Sequence, residues 1–321
     1  MNSPFLQLNK ARGIILDWDG VIAETSLDFG PIRCRFFGGR RAPLLEEAAK
    51  MAEPQKSEFM KAIEDEEMRG AALSTEVEGA RRLTEYLDAH AIPWCVLSRN
   101  CLASIELAAR LIGFQLPSNT FAREAPHVKP DPRAMSDAAN ALGVPEESCL
   151  VVGDFLYELL GARRAGMRCA LVQRDGDWKT LADAVYPKMA DFTAAFERGD
   201  SLIPWEYHHI AEERGLEWLK KAWNVTVQVD APLDAASWNR LHQFAEAGVG
   251  SLAVLPEREV TEQELRLCQG LSPFWLGMPL RDALAGHLKT RYPLLNILTG
   301  GGGLPLSSDE PPLQALERAM R

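Results

Sequence analysis

The chain has 321 residues, of which 46% are hydrophobic and 25% charged, a composition typical of a globular protein with a packed core. Its length is sufficient for two domains. The formal net charge of −10 argues against nucleic-acid binding, because contact with a phosphate backbone requires a basic surface. No apolar run is long enough to span a membrane, and the N-terminus lacks the apolar stretch of a signal peptide. Since the six cysteines form no C-x-x-C pair, the sequence predicts a reduced, cytoplasmic protein.

The first predicted element is a short buried strand, Gly13–Leu16, followed directly by Asp17-Trp18-Asp19-Gly20. Alternation along an extended chain places Asp17 and Asp19 on one side and Trp18 on the other. Two carboxylates that converge at the end of a buried strand repel each other and lose hydration, so they require a cation or a proton. Acids before glycine are also ordinary turn chemistry. Taken alone, the stretch favours neither interpretation.

The segment from about residue 26 to residue 76 is predicted to form a helical cap. Apolar residues recur at helical spacing within 43–50 and 57–63. The segment is too short for a full domain, and its acidic run Glu64–Glu67 is typical of a solvated helix face. Four arginines either face a cleft and bind an anionic substrate or lie on a solvated cap surface; they are Arg33, Arg35, Arg40 and Arg41.

From Glu78 onward, predicted helices and strands alternate, which indicates a mostly parallel α/β sheet. One strand ends at Ser98, and another, Cys149–Val152, ends at Gly153-Asp154. Between them, the proline-rich loop 125–132 contains Lys129. In parallel sheets, ligands bind at the carboxyl ends of strands. Because Asp17, Ser98 and Asp154 all occupy such ends, we expect them to share a site.

Residues 201–321 are predicted to form a second, smaller α/β unit. A helical stretch, 205–223, precedes four apolar runs that are separated by helix-like segments: 225–229, 251–255, 274–278 and 294–298. The glycine-rich loop 299–303 follows the last run, which is expected to be a strand, and precedes a helix-like segment; it is either a flexible turn or an anion-binding loop. The unit contains no recognisable catalytic motif, and it is a candidate for binding an unidentified partner or ligand.

Four motifs in this order resemble the haloacid dehalogenase superfamily, and in particular its phosphoglycolate phosphatase-like branch with a small helical cap. The motifs are DWDGVIAET, VLSRN, HVKPDP and GDFLYELLGARRAGM. The resemblance covers roughly residues 12–190. It implies a Rossmann-like, mostly parallel sheet with a helical cap insertion in residues 1–200, and it leaves the α/β unit 201–321 unexplained.

The resemblance also implies roles for the acids. Asp17 is the expected nucleophile and forms an aspartyl-phosphate. Asp19 is the expected general acid and base, and its backbone carbonyl faces the metal. A Mg²⁺ ion is expected between Asp17, Asp19 and Asp154. Glu158 stands where the family usually has a second acid, so we expect it to contact the metal directly or through water. As a first-turn helix acid, Glu158 would also interact favourably with the helix dipole.

The remaining site residues are expected to bind the phosphoryl group. Lys129 would neutralise the phosphoryl oxygens and Asp17, while Ser98 would donate a hydrogen bond. Ser98 could instead cap a helix, and Lys129 alone would be an ordinary surface lysine. Arg99 and Asn100 flank Ser98 and are candidates for substrate contact, although Asn100 could equally cap the following helix.

The expected function is Mg²⁺-dependent hydrolysis of a small phosphorylated metabolite. Asp19 favours phosphate esters over dehalogenation, because an alkoxide leaving group needs a proton and a halide does not. Small acidic phosphates such as phosphoglycolate are compatible with the cap arginines. Two alternatives remain open: a phosphosugar mutase of the same fold, and a binding or regulatory protein without catalytic activity. Neither nucleic acid nor a membrane is an expected partner.

Overall fold

The computed structural model describes residues 5–321 except 231, 256, 293, 308 and 309. Residues 1–4, at the start of the N-terminus predicted to carry no signal peptide, lie outside the described residues. The chain divides into two compact units, residues 6–202 and a second unit formed by Phe5 with residues 203–321. None of the helices described is both long and apolar enough to cross a membrane.

The first unit is built on a sheet of six parallel strands in the order β5-β4-β1-β6-β7-β8. The strands are β1 (Gly13–Leu16), β4 (Trp94–Leu97), β5 (Thr120–Phe121), β6 (Cys149–Gly153), β7 (Arg168–Val172) and β8 (Ala184–Tyr186). Strand β1 is central: its Ile15 lies beside Cys95 of β4 and Val151 of β6. All four residues of β1 are buried, as expected for a parallel strand covered on both faces.

Five helices cover the two faces of this sheet: α4 (Ala80–Ala89), α5 (Leu102–Leu111), α6 (Pro132–Leu142), α7 (Leu156–Arg164) and α8 (Met189–Arg198). Side chains on one face, including Ile14 and Leu16, pack with α4, α5 and α8. Those on the other face, including Ile15, pack with α6 and α7. The alternation of side chains along each strand thus produces two separate hydrophobic layers.

The cap is helical and is inserted between β1 and α4. It contains α1 (Gly30–Phe37), α2 (Leu44–Ala48) and α3 (Gln55–Ala71), which pack around Phe59 and Ile63. The chain enters and leaves the cap through an antiparallel pair of two-residue strands, β2 (Ala23–Glu24) and β3 (Thr75–Glu76).

The predicted solvated face in the cap is wrong for one residue. Glu67 is 3% exposed, because it faces inward from α3 and accepts hydrogen bonds from Arg123 at 2.6 Å and the Cys101 backbone at 3.0 Å.

The second unit contains a smaller sheet of four parallel strands in the order β11-β10-β9-β12. The strands are β9 (Thr226–Val229), β10 (Ser251–Val254), β11 (Asn296–Thr299) and β12 (Leu304–Pro305). Its helices are α9 (His208–Arg214), α10 (Leu216–Trp223), α11 (Ala235–Glu246), α12 (Glu262–Leu267), α13 (Leu280–Leu288) and α14 (Pro312–Ala319). Together, the two parallel sheets confirm the predicted fold class, a Rossmann-like sheet with a cap followed by a small α/β unit.

Two local expectations for the second unit are wrong. The apolar run 274–278 forms no strand: a short 3₁₀ helix, Pro273–Trp275, begins there, and Phe274 is 73% exposed. Proline has no backbone N–H to donate to a sheet, which disfavours a strand at this position. The glycine-rich loop leads into β12 and not into a helix, because Leu304 pairs with Val227 of β9.

Candidate active site

A cavity of about 720 Å³ lies at the carboxyl end of the six-stranded sheet. Side chains of the cap, including Phe29, Arg33 and Arg41, form part of its wall. The cavity is lined by all eight site residues predicted from the sequence: Asp17, Asp19, Ser98, Arg99, Asn100, Lys129, Asp154 and Glu158. Although these residues are scattered over 142 positions of the chain, from 17 to 158, the parallel sheet brings them together.

Lys129 is buried between two carboxylates at the base of this cavity. Its Nζ lies 2.7 Å from Asp17 Oδ1 and 2.7 Å from Glu158 Oε1, and the residue is 2% exposed. Burial by itself lowers the pKa of Lys129, but the two carboxylates outweigh burial and raise that pKa. Burial raises the pKa of Asp17 well above its usual value, and the Lys129 ammonium opposes this rise.

Asp154 is the third buried acid, and its charge is only partly compensated. Burial and the neighbouring Glu158 raise its pKa to about 7, against the opposing effect of Arg174. The Nε atom of Arg174 forms an ion pair with Asp154 Oδ2 at 2.5 Å, although this oxygen accepts no hydrogen bond from the described residues. A close approach of the backbone supports the arrangement: a Cβ added to Gly20, whose φ is +73°, would lie 2.1 Å from Asp154 Oδ2.

The donor set fits a hard divalent cation. Oxygen atoms of Asp17, Asp154 and Glu158 lie within 4.8 Å of one another, and all three residues are buried. Burial, and to a smaller extent repulsion between these carboxylates, raises the pKa values of Asp17 and Asp154, and a bound cation would relieve both effects. Oxygen ligands at one point are the coordination that Mg²⁺ prefers. Glu158 also accepts a hydrogen bond from the Phe155 backbone N–H at 3.2 Å, so it holds the first turn of α7 as well.

Asp19 differs from the three buried acids in being half-buried. Its Oδ1 accepts hydrogen bonds from the Thr25 backbone N–H at 3.0 Å and from the Thr25 hydroxyl. Trp18 between the two acids is fully buried and packs at 6.0 Å from the ring of Phe114. Asp17 and Asp19 therefore line the same cavity in different environments.

The residues after β4 have more varied partners. The Ser98 hydroxyl accepts a hydrogen bond from the Asn100 backbone N–H at 3.1 Å and keeps its own proton available for donation. The Arg99 guanidinium contacts Glu46 of the cap at 2.9 and 3.0 Å, bonds to the Lys129 carbonyl, and lies 4.1 Å above the ring of Tyr157. Its charge is therefore already paired, and the guanidinium links the cap to the Lys129 loop.

The cap arginines divide into two groups. Arg33 and Arg41 line the cavity, whereas Arg35 pairs with Glu58 and is exposed. Arg40 lies 4.0 Å from Glu47, and its side chain is 65% exposed. The solvated-surface interpretation thus fits Arg35 and Arg40, while the interpretation of a cleft position fits the other two.

Sequence reasoning did not identify Arg174 or Tyr157 as part of the cavity. Arg174 follows β7 by two residues, and the carboxyl end of this strand lies at the same edge of the sheet as that of β1. This position, just after a parallel strand, could have identified Arg174 as a site residue from the sequence. Tyr157 had no comparable signal, because an aromatic residue in the first turn of a helix usually packs in the core.

Parts of the chain match known proteins. Residues 11–166 match the family described as haloacid dehalogenase-like hydrolase. Over 48 residues, 15% of this chain, the sequence is 54% identical to phosphatase MT3486 of Mycobacterium tuberculosis. Over 46 residues, 14% of this chain, it is 41% identical to pyrophosphatase PpaX of Halalkalibacterium halodurans. These segments cover 22% and 21% of the two relatives, so the chain spans about a fifth of their length.

The fold is similar to that of solved structures. A hydrolase from Pseudomonas syringae superimposes with a TM-score of 0.52 at 19% sequence identity, over 58% of this chain and 98% of the other. At this identity the similarity supports the fold alone.

Proposed function

Because residues 11–166 belong to the haloacid dehalogenase-like hydrolases, we propose that this chain is a Mg²⁺-dependent phosphomonoester hydrolase that acts through an aspartyl-phosphate on a small phosphorylated substrate. The observation that carries the proposal is the buried contact of Asp17 with Lys129 at 2.7 Å, in a cavity that also contains Asp19 and Asp154. A nucleophile, a fixed positive charge, a proton donor and a cation site are the groups that phosphoryl transfer requires.

In the first step, an oxygen of the Asp17 carboxylate attacks phosphorus and the bond from phosphorus to the leaving oxygen breaks. Asp19 transfers its proton to that oxygen, so the leaving group departs as a neutral alcohol. The Lys129 ammonium favours the ionised form of Asp17 and attracts the phosphoryl oxygens. Ser98 is placed to donate its hydroxyl proton to one of those oxygens.

In the second step, Asp19, now ionised, removes a proton from a water molecule that attacks phosphorus of the aspartyl-phosphate. The acyl phosphate bond breaks, and Asp17 returns as a carboxylate with release of inorganic phosphate. Asp17, Asp154 and the Asp19 backbone carbonyl would hold Mg²⁺, with Glu158 in direct or water-mediated contact. When bound, the ion supplies positive charge that stabilises the transferring phosphoryl group.

The decisive experiment is hydrolysis of an aryl phosphate with and without Mg²⁺ by the wild type and Asp17→Asn. We expect activity only with Mg²⁺ and only in the wild type, because the amide is not nucleophilic. Asp65→Asn is a matched control, since Asp65 lies on the exposed surface of α3 and pairs with Lys61. No wild-type activity with any divalent metal, or full activity in Asp17→Asn, would rule out the mechanism.

The substrate requires a separate measurement. Release of inorganic phosphate from a panel of phosphorylated metabolites would identify it, and the cavity-lining Arg33 and Arg41 support the inclusion of acidic phosphates. Isomerisation of a sugar phosphate without net phosphate release would instead identify a mutase.

A further inference from the structure

Two histidines of the second unit face each other through the same ring nitrogen. His242 lies on α11 and His287 on α13, and their Nε2 atoms are 3.3 Å apart. The two rings are nearly perpendicular, with an interplanar angle of 87°. Both side chains are half-buried, so the pair can be reached from solvent.

This separation allows either a hydrogen bond between the two nitrogens or a metal ion that both nitrogens bind. Two imidazole nitrogens that are each about 2.0–2.1 Å from a tetrahedral Zn²⁺ lie roughly 3.3–3.4 Å apart. The observed 3.3 Å thus corresponds to the spacing of two ligands on one ion.

The surroundings hold both rings in this orientation. Trp238, one turn before His242, packs against both histidines with ring centroids 5.1 and 4.9 Å away. On its other side, His287 has a hydrogen bond with the Gly270 backbone that raises its pKa, as a carbonyl acceptor does. Since Nε2 of His287 faces His242, Nδ1 is the nitrogen left for this contact. Metal-binding histidines commonly donate the second ring N–H to a carbonyl in this way, which leaves the lone pair of Nε2 free.

The ligand type also suits a transition metal, because imidazole nitrogen binds Zn²⁺, Cu²⁺ and Ni²⁺.

We propose that His242 and His287 form a binding site for a divalent transition metal, distinct from the acidic site of the first unit. Among the described residues, no third His, Cys, Asp or Glu offers a ligand atom within 4.8 Å of both nitrogens. Water or a small exogenous ligand completes the coordination, which leaves positions open for exchange. Glu246, one turn beyond His242 on the same helical face, can supply a third ligand by leaving its solvent-exposed pair with Arg291.

The test uses the full chain with Asp154→Asn and excess Mg²⁺, so that the acidic cluster does not contribute. Calorimetric titration with Zn²⁺ is expected to show one bound equivalent. H242Q and H287Q are each expected to lose it, and H209Q, which changes an exposed histidine of the same unit, is expected to retain it. Circular dichroism melting of each variant checks that the fold is intact.

A second measurement tests the proposed metal site without substitution of either histidine. Electron paramagnetic resonance of bound Cu²⁺ is expected to show coupling to two imidazole nitrogens. Absence of this coupling, or a Zn²⁺ equivalent that survives in both H242Q and H287Q, would overturn the proposal. Because this pair and the acidic cluster lie in different units, loss of phosphatase activity and loss of this site are independent outcomes.

Discussion

Lys129 is the positive charge that compensates the buried carboxylates of Asp17 and Glu158. It is 2% exposed and contacts both Asp17 and Glu158 at 2.7 Å. Removing one partner of a buried ion pair leaves an uncompensated charge, which is more costly than the absence of the whole pair.

We therefore expect Lys129→Met to lower the free energy of unfolding by about 3–5 kcal/mol at neutral pH. Urea unfolding in the presence of EDTA measures the change. Lys61→Met is the control, because Lys61 pairs with Asp65 on the exposed face of α3. The stability of the Lys61→Met variant should equal that of the wild type. Equal stabilities of the two variants would show that Lys129 does not compensate the acids.

Asp154 makes cation binding depend on pH. Its pKa of about 7 implies that roughly a tenth of the population is ionised at pH 6 and roughly nine tenths at pH 8. Since Mg²⁺ must displace the proton, we expect Mg²⁺ affinity to rise about tenfold from pH 6 to pH 8. Calorimetric titration at both values checks this, and equal affinities would exclude Asp154 as a ligand with this pKa.

The raised pKa of Asp154 also makes the stability of the metal-free protein depend on pH. Here the effect has the opposite direction: stability falls as pH rises. The pKa of about 7 is higher than the 3.8 of an unperturbed aspartate, so the folded chain binds more protons than the unfolded chain between about pH 4 and 7. The contribution of Asp154 to stability is therefore largest below pH 4 and falls as pH rises to 7.

At the scale of elements, Glu67 connects the cap helix α3 to the loops that follow β4 and β5. Burial raises the pKa of its carboxyl, and Arg123 opposes that rise. We expect Glu67→Ala to lower the free energy of unfolding by about 3–5 kcal/mol, because Arg123, whose side chain is only 12% exposed, would lose its partner. Asp65→Ala, two residues earlier on the exposed face of α3, is expected to have no effect on urea unfolding. A wild-type midpoint for Glu67→Ala would contradict this structural role.

Glu67 also shows what the sequence could and could not predict for an element. The spacing of apolar residues correctly indicated a helix. The side chains of its four consecutive acids point in different directions around the helix axis, however, and that of Glu67 points inward. Which acid is buried depends on Arg123, which is 56 positions away in the chain. Likewise, an apolar run such as 274–278 does not distinguish a strand from an exposed 3₁₀ turn, because both contain hydrophobic residues over a short length.

At the scale of the whole molecule, the hydrophobic cores of the two units share no described residue. We therefore expect residues 6–202 to fold alone and to keep the proposed aryl phosphatase activity. Thermal melting and an aryl phosphate assay of this fragment, beside the full chain, test both expectations. An unfolded fragment would show that the first unit depends on residues 203–321.

The sheet and the position of the site were largely predictable, because buried parallel strands read as apolar runs and polar residues follow them directly. Asp17, Ser98 and Asp154 were located by this rule alone. Long-range partners were not predictable: Arg174 approaches Asp154, and Glu46 engages Arg99, through pairings that exist only after folding. The histidine pair had no sequence signal either, since 45 positions separate its members.

The hydrogen bonds between Thr25 and Asp19 connect the candidate site to the cap. Thr25 is the first residue after β2, the strand through which the chain enters the cap. The backbone N–H and the hydroxyl of this one residue both donate to Asp19 Oδ1. The orientation of the Asp19 carboxylate therefore depends on the backbone position at which the cap begins.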